Sequence, residues 1–153
     1  NPYLITNDGS NVFILALMYK RNNFINYLID NNYNLNFLTS NGDTLLQIAI
    51  NYQNIEIINK LLNTNINFNN INFDLGLNVL HQSIIFDNID LFKKLLMKNI
   101  DINMTDFYGN TPLHYIMIDK RVNFLEPLFK FENIKFKLAF LKAFNSILLP
   151  KVF

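Results

Sequence analysis

Two kinds of apolar stripe alternate along the chain. The first kind is short and nearly continuous, as in VFILALMY at residues 12–19. The second places its apolar residues at i, i+1 and i+4: Phe24, Ile25 and Leu28; then Ile57, Ile58, Leu61 and Leu62; then Leu91, Phe92, Leu95 and Leu96. That spacing puts the apolar side chains on one face of a helix. Helix one is apolar almost all round, the pattern of a buried helix, so the sequence predicts that something covers Val12 to Tyr19. The candidates are the segment NPYLIT at 1–6, further repeats, or another chain.

Gly residues punctuate the stripes. Gly9, Gly42, Gly76 and Gly109 are all the Gly in the protein, and two residues after each stand Asn11, Thr44, Asn78 and Thr111. These anchors are 33, 34 and 33 residues apart. A period near 33 marks a repeat array, in which each unit buries its apolar face against its neighbours. Two residues after the anchors come Phe13, Leu46, Leu80 and Leu113, and five after come Ala16, Ala49, Ser83 and Ile116. Each unit therefore predicts a turn, a short helix, a tight loop, a longer helix and an extended loop. Past the last unit, KLAFLKAFNSILL at 137–149 reads as a further helix stopped by Pro150.

Composition narrows the function. Half of the 153 residues are hydrophobic and the formal net charge is only +1, with the charges scattered. A nucleic-acid footprint needs a basic stripe, and none is present. With no Cys there is no disulfide framework or thiolate metal site. No apolar run nears the roughly 18 residues of a membrane span. The chain begins with Asn, so it is expected to be a piece of a longer product. Asn occurs 28 times, a bias toward A/T-rich codons rather than a mark of function, and the single sequon Asn103-Met104-Thr105 is the chance match that such a composition produces.

His114 lies in GNTPLHYIMID at 109–119, and His81 stands one period earlier. A His there could be a base, a metal ligand, or a hydrogen-bonding residue at a helix start. A base needs a nucleophile and an orienting third group nearby. A zinc site needs about four ligands. Neither set accompanies these residues, and a loop with one Gly is no phosphate cradle. The reading is non-catalytic, with no cofactor and no metal.

The segment TPLHYI at 111–116 resembles the T-P-L-H-x-A signature of the ankyrin repeat in all but its last place. Weaker versions are NVFILA at 11–16, TLLQIA at 44–49 and NVLHQS at 78–83; the unit ends NYNLN, NINFN and NIDIN at 32–36, 65–69 and 99–103 are similar to the family's G-A-D-v-N. The resemblance implies an all-α ankyrin-repeat solenoid with short hairpin-like loops. Its repeats would run about 7–39, 40–72, 73–106 and 107–136, in one domain over 1–153, with a C-terminal capping helix at 137–149. It also implies that Thr111, His114 and His81 hydrogen-bond locally and between neighbouring repeats.

Departures from the pattern make specific predictions. Asn32, Asn65 and Asn99 stand where the family has Gly at the end of the second helix, so each is expected in the left-handed conformation. Lys20, Gln53, Asp87 and Lys120 replace the Gly between the helices, which costs something like 1 kcal/mol per site if that geometry is kept. The loop before Asn78 has one extra residue and should bulge. Pro127 should kink the last second helix or delay its start.

The resemblance implies a protein or peptide partner, held by the loop tips and the exposed side of the first helices, and an intracellular setting, cytoplasmic or nuclear. Carried over residue by residue, the candidate partner-binding residues are Tyr19, Tyr52, Leu75, Leu77, Ile85, Phe86, Phe107, Tyr108, Ile118 and Asp119, expected to be solvent-facing. The alternatives are a substrate-recruiting domain of a larger enzyme, a ubiquitin-ligase adaptor, and a structural subunit of a large assembly.

Overall fold

The computed structural model describes residues 11–130. The expected C-terminal helix at 137–149 and the NPYLIT segment lie outside them. The chain divides between Asp74 and Leu75 into two compact units. The first contains α1 (Val12–Met18), α2 (Asn22–Asp30), α3 (Leu45–Asn51) and α4 (Ile55–Leu61). The second contains α5 (Val79–Ile85), α6 (Ile89–Leu96), α7 (Pro112–Ile118), a 3-10 turn at Val122–Phe124 and α8 (Leu125–Lys130). No β-strand occurs among the described residues, only one isolated bridge between Leu38 and Thr44.

Within the first unit α1 packs on α2 and α3, α2 on α4, and α3 on α4; within the second, α5 packs on α6 and α7. The predicted stripes form the two cores, except for Phe24, which stands exposed at the start of α2. Ile25, Leu28, Ile57, Ile58 and Leu61 are buried in one unit, and Leu91, Phe92, Leu95 and Leu96 in the other. The Phe92 and Phe124 rings meet edge to face at 5.0 Å. The described residues cover helix α1 only in part, and the expected cover over Val12 to Tyr19 lies outside them. Only Phe13, Ala16 and Leu17 are buried, while Val12, Ile14 and Leu15 stay partly open and Met18 and Tyr19 are exposed.

All four first helices end in the same way. Lys20, Gln53, Asp87 and Lys120 have φ of 52°, 51°, 54° and 55°, so the left-handed geometry is kept without Gly. The next residue then reaches back five positions: Arg21, Asn54, Asn88 and Arg121 donate to the carbonyls of Ala16, Ala49, Ser83 and Ile116 at 2.7–2.9 Å. This is the Schellman closure, which satisfies carbonyls the helix leaves open and aims the chain into the second helix.

The strain at these four sites should be removable. A left-handed non-Gly residue costs about 1–2 kcal/mol, and Gly returns about 0.4–1 kcal/mol of that through a freer unfolded chain. Gln53→Gly should therefore stabilise by about 0.5–1 kcal/mol, read as a higher denaturant midpoint at unchanged slope. Asp87→Gly should gain less, because Asp87 pairs with Arg121 at 2.7 Å. A lowered midpoint for Gln53→Gly would show that the left-handed turns carry no strain.

The second helices end differently from expectation. Asn32 is left-handed (φ 56°) and α2 closes by a Tyr33 N–H to Leu28 carbonyl bond of 3.1 Å. Asn65 and Asn99 are not left-handed. After α4, Asn63 and Thr64 instead donate three residues back, to Lys60 and Leu61, and the Thr64 hydroxyl also bonds the Leu61 carbonyl at 2.7 Å. After α6, Met97 and Lys98 donate to Lys94 and Leu95. A tightened 3-10 ending uses up the last carbonyls, so no left-handed residue is needed. Nor is the second helix always longer, since α4 has 7 residues like α3.

Pro127 acts as its chemistry requires. Where the other second helices begin as α-helix, the chain makes a 3-10 turn at Val122–Phe124, and α8 starts only at Leu125. Pro127 then falls in the first turn, where no N–H bond is lost.

Candidate interaction surface

The first helices are launched by side-chain caps. Asn11 accepts from the Phe13 and Ile14 N–H groups, and Thr44 N–H donates to Gln47 Oε1 at 2.9 Å. Asn78 and Thr111 N–H groups donate to Nδ1 of His81 (3.3 Å) and His114 (3.1 Å). One turn-closing place is thus filled by Gln47, His81 and His114. His81 also links repeats: its Nε2 lies 3.2 Å from the Asn110 carbonyl. A carbonyl needs a donor, so the Asn110 contact calls for the proton on Nε2, while Asn78 Oδ1, 2.8 Å from Nδ1, competes for it. Burial keeps this ring neutral, lowering its pKa to about 4 against a weak upward pull from the Asn110 carbonyl and Asp106. Burial lowers His114 as well.

Asp106, three residues before Gly109, organises the last loop. Its buried carboxylate accepts from Tyr108 N–H (2.9 Å), Asn110 N–H (2.7 Å), the Asn110 amide (3.2 Å) and the Tyr115 hydroxyl (2.7 Å). Burial alone would raise this carboxyl, but the donors outweigh it and its pKa is lowered. Burial and that same hydrogen bond push the Tyr115 hydroxyl well up. Thr39 holds the corresponding place before Gly42 and accepts Asp43 N–H at 3.0 Å. Asp106 was not among the sequence candidates; an Asp closing a turn upstream of Gly is the signal that could have found it.

The loop tips carry aromatic rings laid over the glycines of the preceding repeats. A Cβ on Gly42 would lie 2.5 Å from Phe73 Cδ1, and one on Gly76 would lie 2.7 Å from Phe107 Cδ1. The backbone follows suit: Phe73 N–H donates to the Asn41 carbonyl at 2.7 Å, and Phe107 N–H to the Leu75 carbonyl at 2.9 Å. Phe73 is thus the counterpart of Phe107, although counting from the Gly assigns that place to Asp74. The extra residue in the third loop causes the slip, and the turn at 73–75 absorbs it. Phe73 is exposed and is the tip residue that sequence counting missed.

In the second unit Leu75, Ile85, Phe86, Phe107, Tyr108, Ile118 and Asp119 are all exposed, with Phe86 at 41% and Tyr108 at 77%. Leu77 is the exception among the solvent-facing expectations. It is only 6% exposed, because it follows left-handed Gly76, which turns it inward toward the start of α5. In the first unit Tyr19 and Tyr52 are 67% and 43% exposed. Tyr19, Tyr52, Phe86 and Asp119 share one cause of exposure: each is the C-cap of a first helix. The left-handed residue that follows turns the chain away and leaves the cap side chain outside.

The ends of α5 and α7 are tied together by Arg121, which donates to the Ile85 carbonyl at 3.2 Å and pairs with Asp87 and Asp119 at 2.7 and 3.7 Å. No helix among the described residues is long and apolar enough to cross a membrane.

A family model described as ankyrin repeats in three copies matches residues 1–72, and a second, described as ankyrin repeats in many copies, matches residues 66–116. No curated protein matches the chain.

Proposed function

Because the chain belongs to the ankyrin-repeat family, whose repeats generally serve as protein–protein interaction modules and are typically non-catalytic, we propose that the second unit binds a protein or peptide segment. The contact would be made through Leu75, Phe107 and Tyr108 at the loop tips and Ile85, Phe86, Ile118 and Asp119 at the helix ends. One observation carries this reading: six large apolar side chains at the loop tips and first-helix ends of one unit stand exposed. Solvent alone would favour polar residues at such places, and exposed apolar surface beyond scattered single residues marks interaction sites. The 7-residue α5 and α7 separate tips from helix ends by about 10 Å. That spacing suits a short extended segment whose side chains bridge the two rows. Tyr19 and Tyr52 supply equivalent places on the first unit.

The test pairs affinity with stability. Peptides selected on the intact chain from a displayed library are titrated against variants. Phe86→Ala should weaken binding by about 2 kcal/mol, the scale of an aromatic hot spot, while moving the melting temperature little. Leu95, fully buried, is the control: its truncation should cost stability on the scale of a core deletion, about 2–5 kcal/mol. If Phe86→Ala melts the protein as badly as Leu95→Ala, the aromatic row is core and the proposed surface is wrong.

A further inference from the structure

We propose that Asn41 is a site of spontaneous deamidation, at which the loop tip of the second repeat converts to aspartate and isoaspartate. Of the 28 Asn in the chain, Asn41 alone is followed by Gly. Deamidation needs the backbone nitrogen of the following residue to reach the Asn side-chain carbonyl carbon. A side chain on that residue obstructs the approach, and Gly has none.

The fold makes this Gly obligatory. Gly42 has φ 75°, and a Cβ there would meet the Phe73 ring at 2.5 Å. The fold does not make the Asn obligatory, since Leu75 and Tyr108 occupy the same place before Gly76 and Gly109. The reactive pair therefore joins a residue the turn demands to one it does not.

Atoms balance without an oxidant or cofactor. The Gly42 nitrogen loses its proton to solvent base and bonds to Asn41 Cγ. The tetrahedral intermediate expels the side-chain nitrogen as ammonia. Water then opens the succinimide at either carbonyl, leaving aspartate or isoaspartate. Two local contacts act in opposite directions. The Gly42 N–H donates to the Thr39 carbonyl at 3.0 Å, which must break first. Asn41 itself is exposed and the Ser40 hydroxyl stands 3.5 Å from Asn41 Oδ1, the oxygen that takes up charge during attack, whereas Gly42 is buried, so the turn opens before solvent base reaches its nitrogen.

The product matters because Asn41 is a joint. Its carbonyl accepts the Phe73 N–H at 2.7 Å, and its neighbour Gly42 lies under the Phe73 ring. Isoaspartate adds a methylene to the backbone between the two, so both contacts cannot persist. The formal net charge of +1 also falls by one.

The intact folded chain is incubated at pH 8, digested at intervals and followed by mass spectrometry, with the other Asn residues as internal controls. The Asn41 peptide should convert at least about tenfold faster than any other, a barrier lower by about 1.4 kcal/mol. Asn41→Gln should abolish the conversion. The isoaspartyl form, isolated by ion exchange, should melt below Asn41→Asp, which has the same charge on a native backbone. A rate at Asn41 indistinguishable from the other Asn residues overturns the proposal. So does fast conversion seen only in denaturant, because the Thr39 bond would then protect the folded turn.

Discussion

Replacing Asp106 by Ala should destabilise the protein by about 4 kcal/mol. The substitution orphans four donors at once: the N–H groups of Tyr108 and Asn110, the Asn110 amide and the Tyr115 hydroxyl. Each buried donor left unmet costs about 1–3 kcal/mol, and Ala recovers only the desolvation of one carboxylate. The donors sit near the surface of a loop, so water meets part of their demand and the total stays well below the sum of four. Asp106→Thr should recover part of the loss, because Thr39 caps the Asp43 N–H in the same place of the second repeat. Denaturant midpoints for the two variants check both claims. A loss below about 1 kcal/mol for Asp106→Ala would mean that the loop is held by its backbone and by Phe107 alone.

Acidification should cost a comparable amount through His81. Its pKa is lowered from 6.5 to about 4 by burial. Above 6.5 both folded and unfolded chains hold the ring neutral, and the full stability is present. Between 6.5 and about 4 the unfolded chain takes up a proton that the folded chain refuses, so stability falls with pH. The fall corresponds to about 3 kcal/mol. His114, also lowered by burial, adds in the same direction. Asp106 has a lowered pKa as well and gives up its contribution only as pH drops below the ordinary carboxylate range. Asp43, raised by burial and by Asp74, works the opposite way. His81→Gln separates these terms. Gln47 already plays the capping part in α3, and a Gln at 81 keeps an acceptor for Asn78 N–H and a donor for the Asn110 carbonyl without titrating. Unfolding free energies from pH 7.5 to 4.5 should slope steeply for the native chain and shallowly for the variant. Parallel slopes would place the acid sensitivity elsewhere.

The repeats, the helix pairs and the cores were legible in the sequence, because each rests on local rules. Apolar spacing names the buried face of a helix, Pro fixes φ wherever it stands, and Gly marks the turns that need positive φ. Pro127 delayed α8 as its chemistry requires, and Lys20, Gln53, Asp87 and Lys120 stayed left-handed because the turn of the repeat demands it against their own preference. Other features were settled by how each helix end and loop closed in the fold, or by partners distant in sequence. Asn65 and Asn99 were released from the left-handed conformation when α4 and α6 closed with 3-10 turns. Leu77 went inside because Gly76 turned it there, and Phe73 took the place that counting assigned to Asp74. The Phe73–Asn41 and His81–Asn110 bonds join residues 32 and 29 positions apart, and no local pattern announces them. A hydrogen bond or a ring contact is decided within a few ångströms, and only the folded chain brings such residues that close.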